Sequence, residues 1–239
     1  MSLLLLIETA TDTCSVTLAR DGKIISCEET HNSRSHASIL TVYIDKIFKE
    51  ANISLSQLDA IAISKGPGSY TGLRIGVASA KGLCYALEKP LISIPTLQSM
   101  AFIVSVWHTQ NPHFTTHDSR LTTFFCPMID AKRLEVYTAL FDSSLNYLEE
   151  TKAIILDEHF LENQLKENKI IFFGSGAAKL KPHLQNNSHA IFYDEFLISS
   201  KGMIALAEEK FSKKEFESVA YFEPYYLKDF VPTTPKSIK

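Results

Sequence analysis

The chain has 239 residues, 45 per cent of them hydrophobic and 21 per cent charged, with a formal net charge of −3. This is ordinary globular composition, enough for one large domain or two small lobes, and its acidic balance argues against a stand-alone RNA binder, which carries a basic face. Four cysteines, none in a C-x-x-C pair, point to reduced thiols rather than a disulfide or zinc framework.

The first residues, Met1-Ser-Leu-Leu-Leu-Leu-Ile7, lack the basic region and cleavage site of a secretion signal. Residues 3–8 are expected to form a fully buried strand. No stretch approaches the ~20 apolar residues that span a bilayer, so a cytoplasmic protein is expected. Residues 15–20 alternate with period two. Asp21-Gly22 then signals a tight hairpin, because both turn positions require positive φ, and residues 24–28 return. The three- and four-residue spacing of Ile39, Leu40, Tyr43 and Ile47 predicts a helix over 36–51, capped by Ser35 and stopped at Asn52. A short buried strand (60–64) leads through a glycine-rich loop (65–71) into a second helix (72–87). Pro90 resets the chain to a strand (91–94), and Pro95-Thr96 opens a third helix running to Trp107.

Residues 111–122 are polar and contain Pro112, His113 and His117, as in an exposed excursion. Strands are expected at 123–129 and 134–141, joined by the turn Asp130-Ala-Lys-Arg133, and a further one at 153–156. Then come a helix (158–167), a strand (170–173), Gly174-Ser-Gly176 leading into a helix (177–184), a short strand (191–193) and a helix capped by Ser199 or Ser200. Both halves run meandering strands first, then helices and strands. We therefore expect lobes at 1–107 and 108–219, with a proline- and tyrosine-rich tail at 220–239.

The loop Lys65-Gly-Pro-Gly-Ser-Tyr-Thr-Gly-Leu-Arg-Ile-Gly76 joins a buried strand to a helix. Glycines there expose amides at a helix N-terminus, which suits an anion, although the spacing is neither the dinucleotide fingerprint nor the P-loop. A tight structural turn is the competing reading. The following helix carries one row of small residues at Gly72, Gly76 and Ala80 and another at Ala78, Gly82 and Ala86. Interior glycines cost roughly 1 kcal/mol each against alanine, so a close backbone approach is implied, either from the sheet beneath or from a partner helix. Glu8-Thr-Ala-Thr-Asp12-Thr13 could hold a magnesium–phosphate group through water or could be plain turn chemistry. Asp130 and Arg133 occupy the equivalent turn of the second half. His31 and His36, and His113 and His117, do not make a convincing metal site, and no Ser–His–Asp set can be assembled.

Four segments together resemble the bacterial TsaB family: Ile7-Glu-Thr-Ala-Thr-Asp-Thr-Cys-Ser-Val16, the loop Gly66-Pro-Gly-Ser-Tyr-Thr-Gly-Leu-Arg-Ile-Gly76, the hairpin Ile129-Asp-Ala-Lys-Arg-Leu-Glu-Val-Tyr137 and the tail Pro224-Tyr-Tyr-Leu-Lys228. The resemblance implies an α/β actin-like fold of two duplicated lobes and a non-catalytic scaffold or activator role beside TsaD. TsaD transfers a threonylcarbamoyl group to the adenosine next to the anticodon of tRNA, and the ATPase TsaE is a third partner. The metal-binding histidine pair of TsaD has no counterpart here, so no catalytic or metal residue is expected. No cofactor is required, but ATP or ADP with Mg at the complex interface would draw on Glu8, Asp12, Gly68, Ser69, Arg74 and Asp130. Glu8 stands where many actin-like proteins use Asp. The family's dimer contact implies a partner face of Ile39, Tyr43, Ile47, Thr71, Gly72, Ile75, Gly76, Ser79, Ala80 and Leu83, and members also form homodimers through that surface. Contact with tRNA is expected through the complex, with Lys228, Lys236 and Lys239 as tail candidates. The alternative is an independent ATP-dependent enzyme or protease on the same fold.

Overall fold

The computed structural model describes residues 1–31, 36–111, 121–184 and 186–228. The cap expected at Ser35, His113 and His117 of the polar excursion, and Lys236 and Lys239 lie outside them. The first half forms β1 (Leu3–Glu8), β2 (Cys14–Arg20), β3 (Lys23–Thr30), α1 (His36–Ala51), β4 (Ala60–Gly66), α2 (Tyr70–Leu87), β5 (Leu91–Pro95) and α3 (Thr96–Gln110). The second forms β6 (Thr122–Asp130), β7 (Glu135–Phe141), β8 (Tyr147–Ile155), α4 (Glu162–Glu167), β9 (Asn168–Phe173), α5 (Ala177–Leu184), β10 (Ala190–Tyr193) and α6 (Ile204–Lys213), the last preceded by a 3₁₀ turn at Ser200–Met203.

The first sheet has the order β3-β2-β1-β4-β5 and the second β10-β9-β6-β7-β8. Read from the other edge, the second order is the first with every strand advanced by five. In each, the first three strands are antiparallel and the last two lie parallel to the central one, in registers such as Ile7↔Ile63 and Phe125↔Ile171. This duplicated plan is the actin-like α/β fold.

β1 is apolar from Leu3 to Ile7 because both of its faces are covered. Leu5 and Ile7 join the core under α1 and α2, with Leu40, Ile44, Ile47 and Val77. Leu4 and Leu6 face the opposite way, onto Met203, Ile204 and Ala207. At about 1.5–3 kcal/mol per fully buried large aliphatic side chain, each face is a substantial part of the lobe's stability.

The helices do not stay with their own halves. α3 leaves the first sheet and lays Leu97, Met100, Ala101 and Val104 on Phe125, Ile129, Phe141 and Phe173 of the second. α6 returns in the opposite sense to cover the first sheet. Residues 200–213, grouped with the second lobe on sequence order, therefore pack with the first. The seam beside the 3₁₀ turn is polar. Ser15 and Thr17 on β2 meet Ser200 Oγ at 2.7 and 2.6 Å, so the hydroxyls satisfy one another where water is excluded.

Candidate functional site

The glycine loop sits at the mouth between the lobes, pressed against the β1–β2 turn. Ser69 caps α2, its Oγ accepting from Gly72 N at 3.2 Å. The Ser69 amide donates to Ala10 O at 2.6 Å, and a side chain on Gly68 would collide with the same carbonyl. Of the amides at this helix start, that of Ser69 is thus held by the neighbouring turn of the same chain and that of Gly72 by the cap.

Glu8, at the end of β1, has no exposed surface. Its Oε1 accepts from Ala10 N at 2.6 Å and from Ser64 Oγ at 2.9 Å. Its Oε2 and the nearby Thr9 Oγ1 have no hydrogen-bond partner among the described residues. Burial pushes the Glu8 carboxyl up to about 7, against the pull of the Ala10 and Ser64 hydrogen bonds. Asp12 is exposed on the following turn. Arg74 is engaged by Tyr70, donating to Tyr70 OH at 3.2 Å and lying over the Tyr70 ring.

In the second lobe, Asp130 at the end of β6 pairs with Lys179 of α5 at 2.6 Å and accepts from the Lys132 amide at 2.6 Å. Burial opposes the charge and is the largest single influence, but the Lys179 ammonium and the Lys132 amide together outweigh it and hold Asp130 below the usual carboxylate range. A Gly-x-Gly recurs here: Gly174-Ser-Gly176 follows β9 as Gly66-Pro-Gly68 follows β4. Gly176 N donates to Met128 O at 3.0 Å, in the way Ser69 N donates to Ala10 O. This repeat of two glycines at the same point of both lobes is present in the sequence and is the signal that sequence reading passes over.

The mouth between the lobes is lined by Pro67, Gly68 and Tyr70 from the first lobe, Tyr137 from the second, and Tyr225, Tyr226, Leu227 and Lys228 from the tail. The space left is about 30 Å³, room for a water or two; small-molecule sites have roughly 300–1,000 Å³. The proposed nucleotide residues are therefore only partly brought together. Gly68 borders this mouth, Ser69 caps α2 beside it, Glu8 is sealed within the lobe, and Arg74 and Asp130 are each engaged within their own lobe. The tail residues Tyr225 and Lys228, expected in a proline- and tyrosine-rich tail and, for Lys228, as a tRNA contact, line this mouth. No group of three or more His, Cys, Asp or Glu side chains suited to a metal gathers among the described residues.

α2 presents two different faces. Gly72 and Gly76 point inward, where added side chains would strike Thr9 O and Thr9 Oγ1, and Gly76 also touches Ile63. Ala80 and Ile47 are fully buried. The small row Gly72–Gly76–Ala80 is thus explained by the chain's own sheet, and these three residues, with Ile47, are corrected from partner contacts to core. The second row differs: Ala78, Gly82 and Ala86 are exposed, and a side chain on Gly82 would meet nothing within 4 Å. Beside it, Ile39, Tyr43, Ile75, Ser79 and Leu83 are half-buried and Thr71 is exposed, with Val42 of α1 59 per cent exposed.

Fold and site together define an actin-like protein whose tail lines the mouth between its lobes. The TsaD family, tRNA N6-adenosine threonylcarbamoyltransferase, matches residues 30–233. The tRNA threonylcarbamoyladenosine biosynthesis protein TsaB of Escherichia coli (strain K12) is 31% identical over 95% of this chain and 95% of its own. TsaB of Haemophilus influenzae is 27% identical over 95% and 94%. The solved structure of YeaZ from Pseudomonas aeruginosa superposes with a TM-score of 0.75 at 23% identity, covering 95% of this chain and all of that one. This chain belongs to the TsaB family.

Proposed function

We propose that this chain is a non-catalytic subunit in the synthesis of threonylcarbamoyladenosine in tRNA, acting in the cytoplasm as a scaffold and activator of a TsaD-type catalytic relative. The observation that carries the reading is the mouth: the pocket between the glycine loop and the tail holds about 30 Å³ of space, and Glu8 is sealed behind the loop. The partner would dock on the outer face of α1 and α2, where Ile39, Val42, Tyr43, Thr71, Ile75, Ser79 and Leu83 flank the exposed row Ala78–Gly82–Ala86. Small residues on an exposed helix face permit close backbone approach, and apolar neighbours supply area. ATP or ADP with Mg, if used, would sit at the shared interface, the TsaE ATPase would join the assembled pair, and tRNA would be reached through the complex. In isolation the same face would serve a homodimer.

Co-expression with a TsaD-type subunit tests this, with co-purification and the threonylcarbamoyladenosine content of tRNA as readouts. Gly82→Arg is expected to abolish association. It should also stabilise the isolated chain by up to about 1 kcal/mol, since it replaces an exposed helical glycine with a good helix former. Association that survives Gly82→Arg together with Val42→Asp would move the partner to another surface.

A further inference from the structure

The segment after α6 belongs to neither sheet as a named strand, yet it touches both lobes. On the first lobe, Glu217 N donates to Leu91 O at 2.8 Å and Ser93 Oγ donates to Glu217 Oε1 at 2.5 Å. Val219 and Phe222 pack against the core beneath α1 and α2. From α2, Lys81 Nζ reaches over the segment and donates to Ala220 O and Phe222 O at 3.2 and 2.9 Å. The Tyr225 amide then donates to Lys65 O at 2.7 Å. Gly66 has φ +110°, and a side chain there would come 2.6 Å from Tyr225 O, so this glycine is the seat of the tail. The Tyr226 ring lies 4.8 Å from Tyr70 at the start of α2. Two residues on, Lys228 pairs with Glu135 of β7, in the second lobe.

The two ends of this run are unequal. The first-lobe end holds several hydrogen bonds and two packed apolar side chains. The second-lobe end is an ion pair with side chains 40 and 21 per cent exposed, the kind of contact that salt weakens. We propose that residues 214–228 are an intramolecular strap across the inter-lobe mouth. It holds the lobes at a set angle, as ligands do in proteins that close around them, and Lys228–Glu135 is its releasable end. Its seat, residues 65–70, runs directly into α2, so release of the strap is transmitted to the start of that helix.

Hydrogen exchange measured by mass spectrometry on the full chain tests this. Local opening accelerates exchange only in the segments released. Lys228→Glu is expected to raise exchange about tenfold in residues 66–73 and 134–138 and to leave residues 3–20 and 36–51 unchanged, and the parent chain in 1 M salt should show the same pattern. A chain ending at Glu223 should show it more strongly; if that chain does not fold, the point variant decides. Unchanged exchange at 66–73 and 134–138 in Lys228→Glu would overturn the strap. So would a uniform rise that includes 3–20 and 36–51, because the tail would then be ordinary core.

Discussion

At the end of β1 stands Glu8, without exposed surface, one carboxylate oxygen doubly hydrogen-bonded and the other without a partner among the described residues. At the matching end of β6 stands Asp130, its side chain 46 per cent exposed and paired with Lys179. The same point of the same topology thus holds one carboxyl whose burial favours the neutral form and one whose neighbours favour the charged form. Position in a fold does not decide what an acid can do; the surroundings do. In the first lobe the close approach of α2 to Thr9, made through Gly72 and Gly76, encloses the turn. In the second, Gly176 rests on Met128 O and Ile129, and Asp130 stays in water.

The contrast can be broken hardest at Gly76. Gly76→Leu has to displace Thr9 and Ile63, and overpacking of this kind costs about 3 kcal/mol or more; loss of soluble folded protein, or a large fall in Tm, is the expected outcome. Glu8 comes next. Its folded pKa, about 7, lies above the ordinary 4.5, so the folded state binds the extra proton between those values. Stability linked to this group is fully present below about pH 4.5, falls as pH rises toward 7 and is flat above it. The total is about 3 kcal/mol on the scale of 1.36 kcal/mol per unit. Glu8→Gln, which imitates the neutral acid, should remove that slope, matching the parent near pH 4.5 and exceeding it by about 3 kcal/mol at pH 8 in denaturant titrations. The smallest effect is at Asp130. Asp130→Asn should cost less than about 1 kcal/mol, with a difference from the parent that shrinks in 1 M salt.

Much of the fold is legible in the residues. The apolar spacing of α1 and the stop at Asn52, which takes φ 53°, give that helix its bounds, and Asp21-Gly22 makes its turn with φ 50° and 76°. Other elements are masked by local chemistry. β8 runs from Tyr147, not 153, because Glu149, Glu150, Thr151 and Lys152 belong to an edge strand with one face in solvent. α4 begins at Glu162, not 158, because Leu161 takes the left-handed conformation, φ 57°. The crossing of α3 and α6 is not legible, since periodicity reveals that a helix has an apolar face but not which sheet receives it. For the same reason the glycines of α2 announce a close approach without naming its partner, and the inner row proves to serve Thr9. Nor does the sequence place Pro224-Tyr-Tyr-Leu-Lys228 in the mouth, because a tail's destination depends on surfaces that exist only after folding.

The exchange of helices between sheets has a consequence for how the molecule comes into being. Emerging from the ribosome, the opening strands can pair and receive α1 and α2 at once, but the underside formed by Leu4, Leu6, Ala62 and Ile92 stays bare until Met203, Ile204 and Ala207 are translated. A nascent chain with that surface uncovered is sticky. Neither half should be obtainable as a soluble fragment, and chaperones have a defined patch to shield until residues 203–207 emerge.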